Sequence, residues 1–230
     1  MKKLLCCLTM LLLCGVAVAD DRQNEVDRVQ AAADVLREVM GAPDKGVPQE
    51  ILTDARCIAV VPSMLKGGFV FGANYGKGVV SCRTPKGWSA PAFFSIKGGS
   101  FGFQIGGQAV DLVMVIMNDR GMNGLLQSRL KLGADASVAA GPVGRHAEGS
   151  TDWKMRAEVL TYSRARGLFA GISLNGADVK QHKDATRAFY GRMVPFKTIL
   201  NGNIETPREA APLLETLRHY AGAGVAEEHR

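Results

Sequence analysis

From Ala55 to Val110 the chain runs 56 residues without an Asp or Glu, yet carries Arg56, Lys66, Lys77, Arg83, Lys86 and Lys97. Eleven glycines are spaced among the Phe, Val, Ile and Tyr of the same stretch. A basic, apolar and backbone-permissive region with no carboxylate to neutralise it suits the binding of anions: its potential gathers phosphates, and its glycines let the backbone approach them. A second basic stretch, 145–192, adds Arg145, Arg164 and Arg166, whose guanidinium groups offer paired donors to phosphate. Near an anionic membrane each such cation contributes about 1 kcal/mol, so several acting together matter where one does not. Phe69, Phe71, Trp88, Phe93 and Phe94 are interleaved with them as candidates for insertion at the headgroup level.

Catalytic patterns are weaker. Gly98-Gly99-Ser100-Phe101-Gly102 matches G-x-S-x-G, but that chemistry needs a strand-to-helix turn exposing the serine. The residues that follow, Phe103-Gln104-Ile105-Gly106-Gly107, read as strand with glycine breaks. Gly76-Lys77-Gly78 starts like a dinucleotide loop but joins strand to strand, and reads as a hairpin turn. Asp111, Asp119 and Asp135 stand apart in sequence, and no motif pairs them for acid–base work. The expectation is a binding protein with no catalytic residue, no cofactor and no metal.

The elements that would position the basic residues follow from periodicity. Lys2-Lys3, an apolar run Leu4–Val16 and Ala17-Val18-Ala19 have the form of a secretory signal peptide over 1–19. Without Lys2 and Lys3 the formal charge falls from +6 to +4, and the basic excess is confined to the middle of the chain. Export argues against nucleic acid as a partner despite the basic balance, and points to the periplasm, the outer membrane or secretion. Three of the five cysteines lie in the signal; Cys57 and Cys82 remain, both in strand-like runs. A structural disulfide is favoured over a pair of buried thiols in an oxidising compartment, and its 26-residue loop would contribute roughly 3 kcal/mol.

Residues 22–40 read as an amphipathic helix ending at Gly41-Ala42-Pro43, and a short helix begins at Pro48. Strands are expected at 57–61, 69–75, 78–83, 92–96, 100–105 and 108–117, punctuated by Gly67-Gly68, Gly76-Lys77-Gly78, Pro85-Lys86-Gly87 and Lys97-Gly98-Gly99. Further elements are a helix at 119–129, a loop at 133–150, strands at 156–163 and 168–174, and a helix at 183–190. Thr206-Pro207-Arg208-Glu209 has the form of a capping box opening a helix to about 221. One α+β domain over 20–230 is expected, with a strongly curved, mostly antiparallel glycine-rich sheet or barrel and flanking helices at both ends.

The motifs Cys57-Ile-Ala-Val-Val-Pro62, Lys66-Gly-Gly-Phe-Val-Phe-Gly72, Tyr75-Gly-Lys-Gly78, Gly87-Trp-Ser-Ala-Pro91, Gly102-Phe-Gln-Ile-Gly-Gly107, Gly141-Pro-Val-Gly-Arg145 and Tyr162-Ser-Arg-Ala-Arg-Gly-Leu-Phe-Ala-Gly171 occur in order. Over residues 24–192 the chain resembles the SYLF lipid-binding domain, also described as a yeast actin-binding-type domain. The resemblance implies non-catalytic binding of anionic phospholipid headgroups of the phosphoinositide type. The alternative is an envelope or host-interaction module whose glycine-rich surface binds protein; the resemblance makes that partner actin-like only if the chain is released to a host. In animal relatives a basic N-terminal helix is implicated in lipid binding; here 22–40 is net acidic. The candidate contacts are therefore Lys66, Lys77, Arg83, Lys86, Lys97, Arg145, Arg164 and Arg166.

Overall fold

The computed structural model describes residues 2–41, 46–142, 157–165, 168–171 and 174–222, with the backbone alone at 2–20, 68–71, 100–106, 165 and 168–171. Helix α1 (Lys2–Met40) is followed by α2 (Gln49–Asp54), then by two long strands, β1 (Cys57–Thr84) and β3 (Ala92–Ile116), with the short β2 (Gly87–Trp88) between them. After α3 (Asp119–Leu126) come β4 (Arg129–Lys131), β5 (Val138–Ala140), β6 (Val159–Ala165), β7 (Leu168–Gly171) and β8 (Asp178–Gln181). The chain ends in α4 (Lys183–Tyr190), α5 (Phe196–Leu200), a 3-10 turn (Arg208–Ala210) and α6 (Ala211–Ala221). The strands form one eight-stranded, strongly curled open half-barrel, antiparallel except where β5 runs parallel to β6.

Its frame is a single ribbon. β1 and β3 pair from Cys57↔Ile116 to Val80↔Ala92, and the ribbon reverses at Pro85-Lys86. Laid flat, the 25 steps from Cys57 to Cys82 would span about 80 Å. Instead the two Cα atoms lie 4.0 Å apart, joined by a disulfide, and the Arg83 N–H donates to the Arg56 carbonyl at 2.8 Å. β1 therefore bends back onto its own start. Register shifts at Val61/Met64 and Gly68/Val70 supply bends, and at the first of them Ser63, at φ 50°, donates its N–H to the Asp111 carboxylate.

This geometry corrects the expected turns. Gly67-Gly68, Gly76-Lys77-Gly78 and Lys97-Gly98-Gly99 lie inside continuous strands, so six expected strands are two. Gly76 and Gly78 serve a close approach: a Cβ on Gly76 would stand 2.4 Å from Val61 Cγ1, and one on Gly78 2.4 Å from the Val60 carbonyl oxygen. The strand crosses itself there, and only glycine leaves room. The capping box is also corrected. Pro207 stands before the 3-10 turn without a side-chain cap, and Glu209 instead accepts from Arg22 of α1 at 2.7 Å. Strands β4, β5 and β8 and helix α5 were not anticipated.

The ends of the ribbon are buried on both faces, which is why Cys57-Ile58-Ala59-Val60-Val61 and Leu112–Ile116 are unbroken apolar runs. Cys57, Ala59, Val61, Leu112, Met114 and Ile116 point into the curl with Phe94, Ile96 and Val179. Ile58, Val60, Val113 and Val115 point outward with Val79 and Phe93, under a helical layer. The apolar stripe of α1 is consumed in that layer: Val29, Ala32, Ala33, Val35, Leu36 and Val39 are all buried. Trp88, Phe93 and Phe94 are core residues as well, which removes them as headgroup anchors.

Candidate anion-binding face

Where β3 leaves the cover of α4, the same outward parity continues with different residues. Phe93 packs on Phe189 with ring centroids 4.9 Å apart; two residues on stands Ser95, and two further Lys97. Pairing then carries this face across four strands. Tyr75, Lys97, Asp178 and Lys131 form one cross-strand row, and Lys77, Ser95, Lys180 and Arg129 the next. Residues paired across antiparallel strands share a face, as do residues two apart. All eight side chains therefore project from one side.

The intervening row confirms the parity, since Gly76, Ile96, Val179 and Leu130 pair across the same strands and all are buried. Short as they are, β4 and β8 are fixed by this alternation. Leu130 and Val179 enter the core, and their neighbours are left in water.

Five cations thus share a face with one carboxylate. Asp178 accepts from Lys180 at 2.9 Å and from Arg129 at 3.2 and 3.4 Å. Those hydrogen bonds, Lys180 first and Arg129 second, hold its carboxyl below the ordinary range, so it stays charged. Lys97 lies over the Tyr75 ring at 5.4 Å, a cation–π distance. Beside Asp178 opens a groove of about 570 Å³, lined by Lys97, Gly98, Gly99, Arg129, Lys131 and Gly176, with Asn74 in its wall. At the helical margin sits His182, whose Nδ1 accepts the Ala185 N–H at the start of α4. Burial lowers its pKa, and Lys77 and Arg28 lower it further. The arrangement can hold an anion, with donors from four strands gathered on one side of the sheet around this groove. Among the described residues no group of three His, Cys, Asp or Glu could hold a metal ion.

The structure distributes the sequence candidates unequally. Lys77 and Lys97 belong to this face. Lys66 stands opposite Gln108 away from it, half-buried, with desolvation lowering its pKa. Lys86 is in the turn of the ribbon and lines a separate groove with Glu205 and Thr206. Arg83 is built into the fold: its guanidinium donates to the carbonyls of Ala55, Leu52, Thr53 and Ala221 and stacks on Trp88 at 4.7 Å. Arg164 is paired with Asp111 at 2.7 Å and with Glu38 of α1. Arg145 and Arg166 lie outside the described residues. Ser100 sits mid-strand opposite Gly72, without the strand-to-helix turn of a nucleophile elbow.

Sequence reasoning passed over Arg129, Lys131 and Lys180 as contacts. Their signal was the local alternation Arg129-Leu-Lys131 and Asp178-Val-Lys180, basic or acidic around a single apolar residue, which marks a short half-buried strand.

Residues 97–220 match the family model Ysc84, described as Las17-binding protein actin regulator. The chain is 37% identical over 214 residues to SH3 domain-containing YSC84-like protein 1 of Rattus norvegicus, covering 90% of this chain and 63% of that protein. Identity is 38% over 205 residues to the Xenopus laevis protein of the same name, 86% of this chain and 61% of that one. It is 34% over 208 residues to Protein YSC84 of Saccharomyces cerevisiae, 86% of this chain and 44% of that one. The chain therefore spans about half to two-thirds of the length of these relatives. With a family model matched over more than half of its length and these identities over most of it, the chain belongs to the Ysc84 family.

Proposed function

We propose that the chain is a non-catalytic module that binds anionic phospholipid headgroups at a membrane surface. The observation that carries this is the five-cation face formed by Lys77, Lys97, Arg129, Lys131 and Lys180 around the single carboxylate of Asp178. Cations spread over neighbouring strands of a rigid sheet are spaced to meet several phosphates at once, and phosphate binding by exposed Lys and Arg is screened by salt. Helix α1 contributes packing in place of phosphate contacts, because its apolar stripe is buried and its acids Glu25, Asp34 and Glu38 pair with Arg28, Arg37 and Arg164. The protein acts outside the cytoplasm; the signal-like residues 1–19 and the Cys57–Cys82 bond support that placement.

The test is co-sedimentation of the purified protein with vesicles of phosphatidylcholine alone, or with phosphatidylglycerol, cardiolipin or a phosphoinositide, at low and high salt. Binding to the anionic vesicles that weakens with salt is the expected result. Equal recovery with neutral vesicles, or none with any, removes the lipid. The family description, which speaks of Las17 binding and actin regulation, and the name of one yeast relative, LAS seventeen-binding protein 3, favour a second reading in which the same face receives an acidic protein surface. Salt-sensitive co-pelleting with filamentous actin, without vesicle binding, would select it.

A further inference from the structure

We infer that Asp178 is a tethered counter-anion occupying the phosphate position of this face, and that an anionic ligand binds by taking its place against Arg129 and Lys180. This rests on the reading of the face as a phosphate-binding surface, and adds where the phosphate sits and what it must displace.

Asp178 is the sole carboxylate in the two rows, and its oxygens face the Arg129 fork as an external oxyanion would, Nε to Oδ1 and Nη2 to Oδ2. Those two bonds are long, at 3.2 and 3.4 Å, and the side chains of Arg129 and Lys180 are 66% and 48% exposed. Neither is locked by packing, so each can turn from Asp178 to a ligand lying in the adjacent groove, where Lys97 and Lys131 already stand. A phosphate in that groove would meet Lys97, Arg129 and Lys131 together, with Lys180 turning to it from Asp178.

A counter-anion carried on the same sheet competes at high effective concentration. A single weak anion in solution displaces it poorly, whereas a dense array of phosphates displaces it readily. Asp178 thereby sets a threshold of surface charge below which the face stays closed on itself.

The experiment uses the full chain, Asp178→Asn, and Asp184→Asn as a control that removes one acid from the exposed start of α4. Inorganic phosphate is titrated at constant ionic strength and followed on the backbone amide resonances of Gly98, Gly99 and Gly176; the same spectra report folding. In parallel, vesicles of phosphatidylcholine with rising phosphatidylglycerol fractions are co-sedimented. Asp178→Asn is expected to tighten phosphate binding at these glycines about three- to tenfold and to shift the vesicle midpoint to a lower anionic fraction, with Asp184→Asn close to the parent. Phosphate shifts that tighten in Asp178→Asn while no vesicle is bound would uphold the counter-anion and remove the lipid. An equal gain in Asp184→Asn, or no gain in Asp178→Asn, would overturn the inference even if vesicles bind.

Discussion

The outward face of the sheet emerges from beneath its helices at two margins, and they end differently. At one, Asp111 of β3 stands directly opposite Arg164 of β6, continuing the buried pairs Val113↔Tyr162 and Val115↔Leu160, and Glu38 of α1 closes over the arginine. At the other, the face that begins with Val79 and Phe93 continues into five cations and one acid. The first margin spends its charge internally, fastening α1 to the sheet with a guanidinium 24% exposed and a carboxylate 17% exposed. The second leaves a net surplus in water. Two basic regions that look equivalent in the chain thus differ by whether carboxylates arrive from neighbouring strands and helices. Arginine count says nothing of this, while pairing register says all of it.

The widest test removes what holds both margins on one curled ribbon. Replacing Cys57 and Cys82 together by serine should lower the unfolding free energy by roughly 3 kcal/mol on the chain-entropy account. Chemical denaturation of the variant against the oxidised parent measures this; an unchanged midpoint would mean that the ribbon stays curled without its clasp. Next in size is the surplus margin itself. Lys97→Gln, Lys131→Gln and Lys180→Gln combined should weaken binding to anionic vesicles about a hundredfold, at about 1 kcal/mol for each charge, and leave the melting temperature nearly as it was.

Exchanging the acids sharpens the contrast. Asp111→Asn should cost about 2 kcal/mol, because Arg164 loses a partly buried partner and the Ser63 N–H loses a charged acceptor. Asp178→Asn should change stability by no more than about 0.5 kcal/mol, its ion pairs being exposed. Parallel thermal melts decide the matter, and comparable losses at both sites would erase the distinction drawn between the margins. The smallest effect is one of pH. Burial, then Lys77 and Arg28, hold His182 below its ordinary value of 6.5, so its contribution is present above that value and is lost as pH falls through it toward the folded-state pKa. Melting temperature should decline between pH 7 and 5, and His182→Asn, which keeps a side-chain acceptor at the start of α4, should flatten that decline.

The parts of the fold that could be read in advance are those where one local signal has one meaning. Cys57-Ile58-Ala59-Val60-Val61 reads as strand on any template, and its lack of alternation fits burial on both faces. Residues 183–190 read as helix for the same reason, with Gly191 at φ 69° closing it. Glycine doublets carry two meanings. The same residue that permits a turn also permits a backbone to pass within touching distance, and Gly78 becomes the second only because Val60 lies across from it. No window of sequence contains that approach.

The site divides similarly. Lys77 and Lys97 were legible because they lie in the acid-free stretch, whereas Arg129 and Lys131 come from the three-residue β4 and Lys180 from the four-residue β8, which pairs with both β3 and β4. Arg83 resembles them in sequence and is consumed by backbone carbonyls that include one from α6.

The alternation in β4 and β8 has a consequence for how such a surface can change. Leu130 and Val179 answer to the core, and residues 129, 131, 178 and 180 answer to whatever the face meets. Exchanging any of these four for another polar residue touches no buried neighbour, so the face can drift toward new ligands in single steps that selection for folding does not oppose. The run 57–61 has no such freedom, since every position there is enclosed on one side or the other. One sheet thus carries both a segment free to vary and a segment fixed by burial on its two faces.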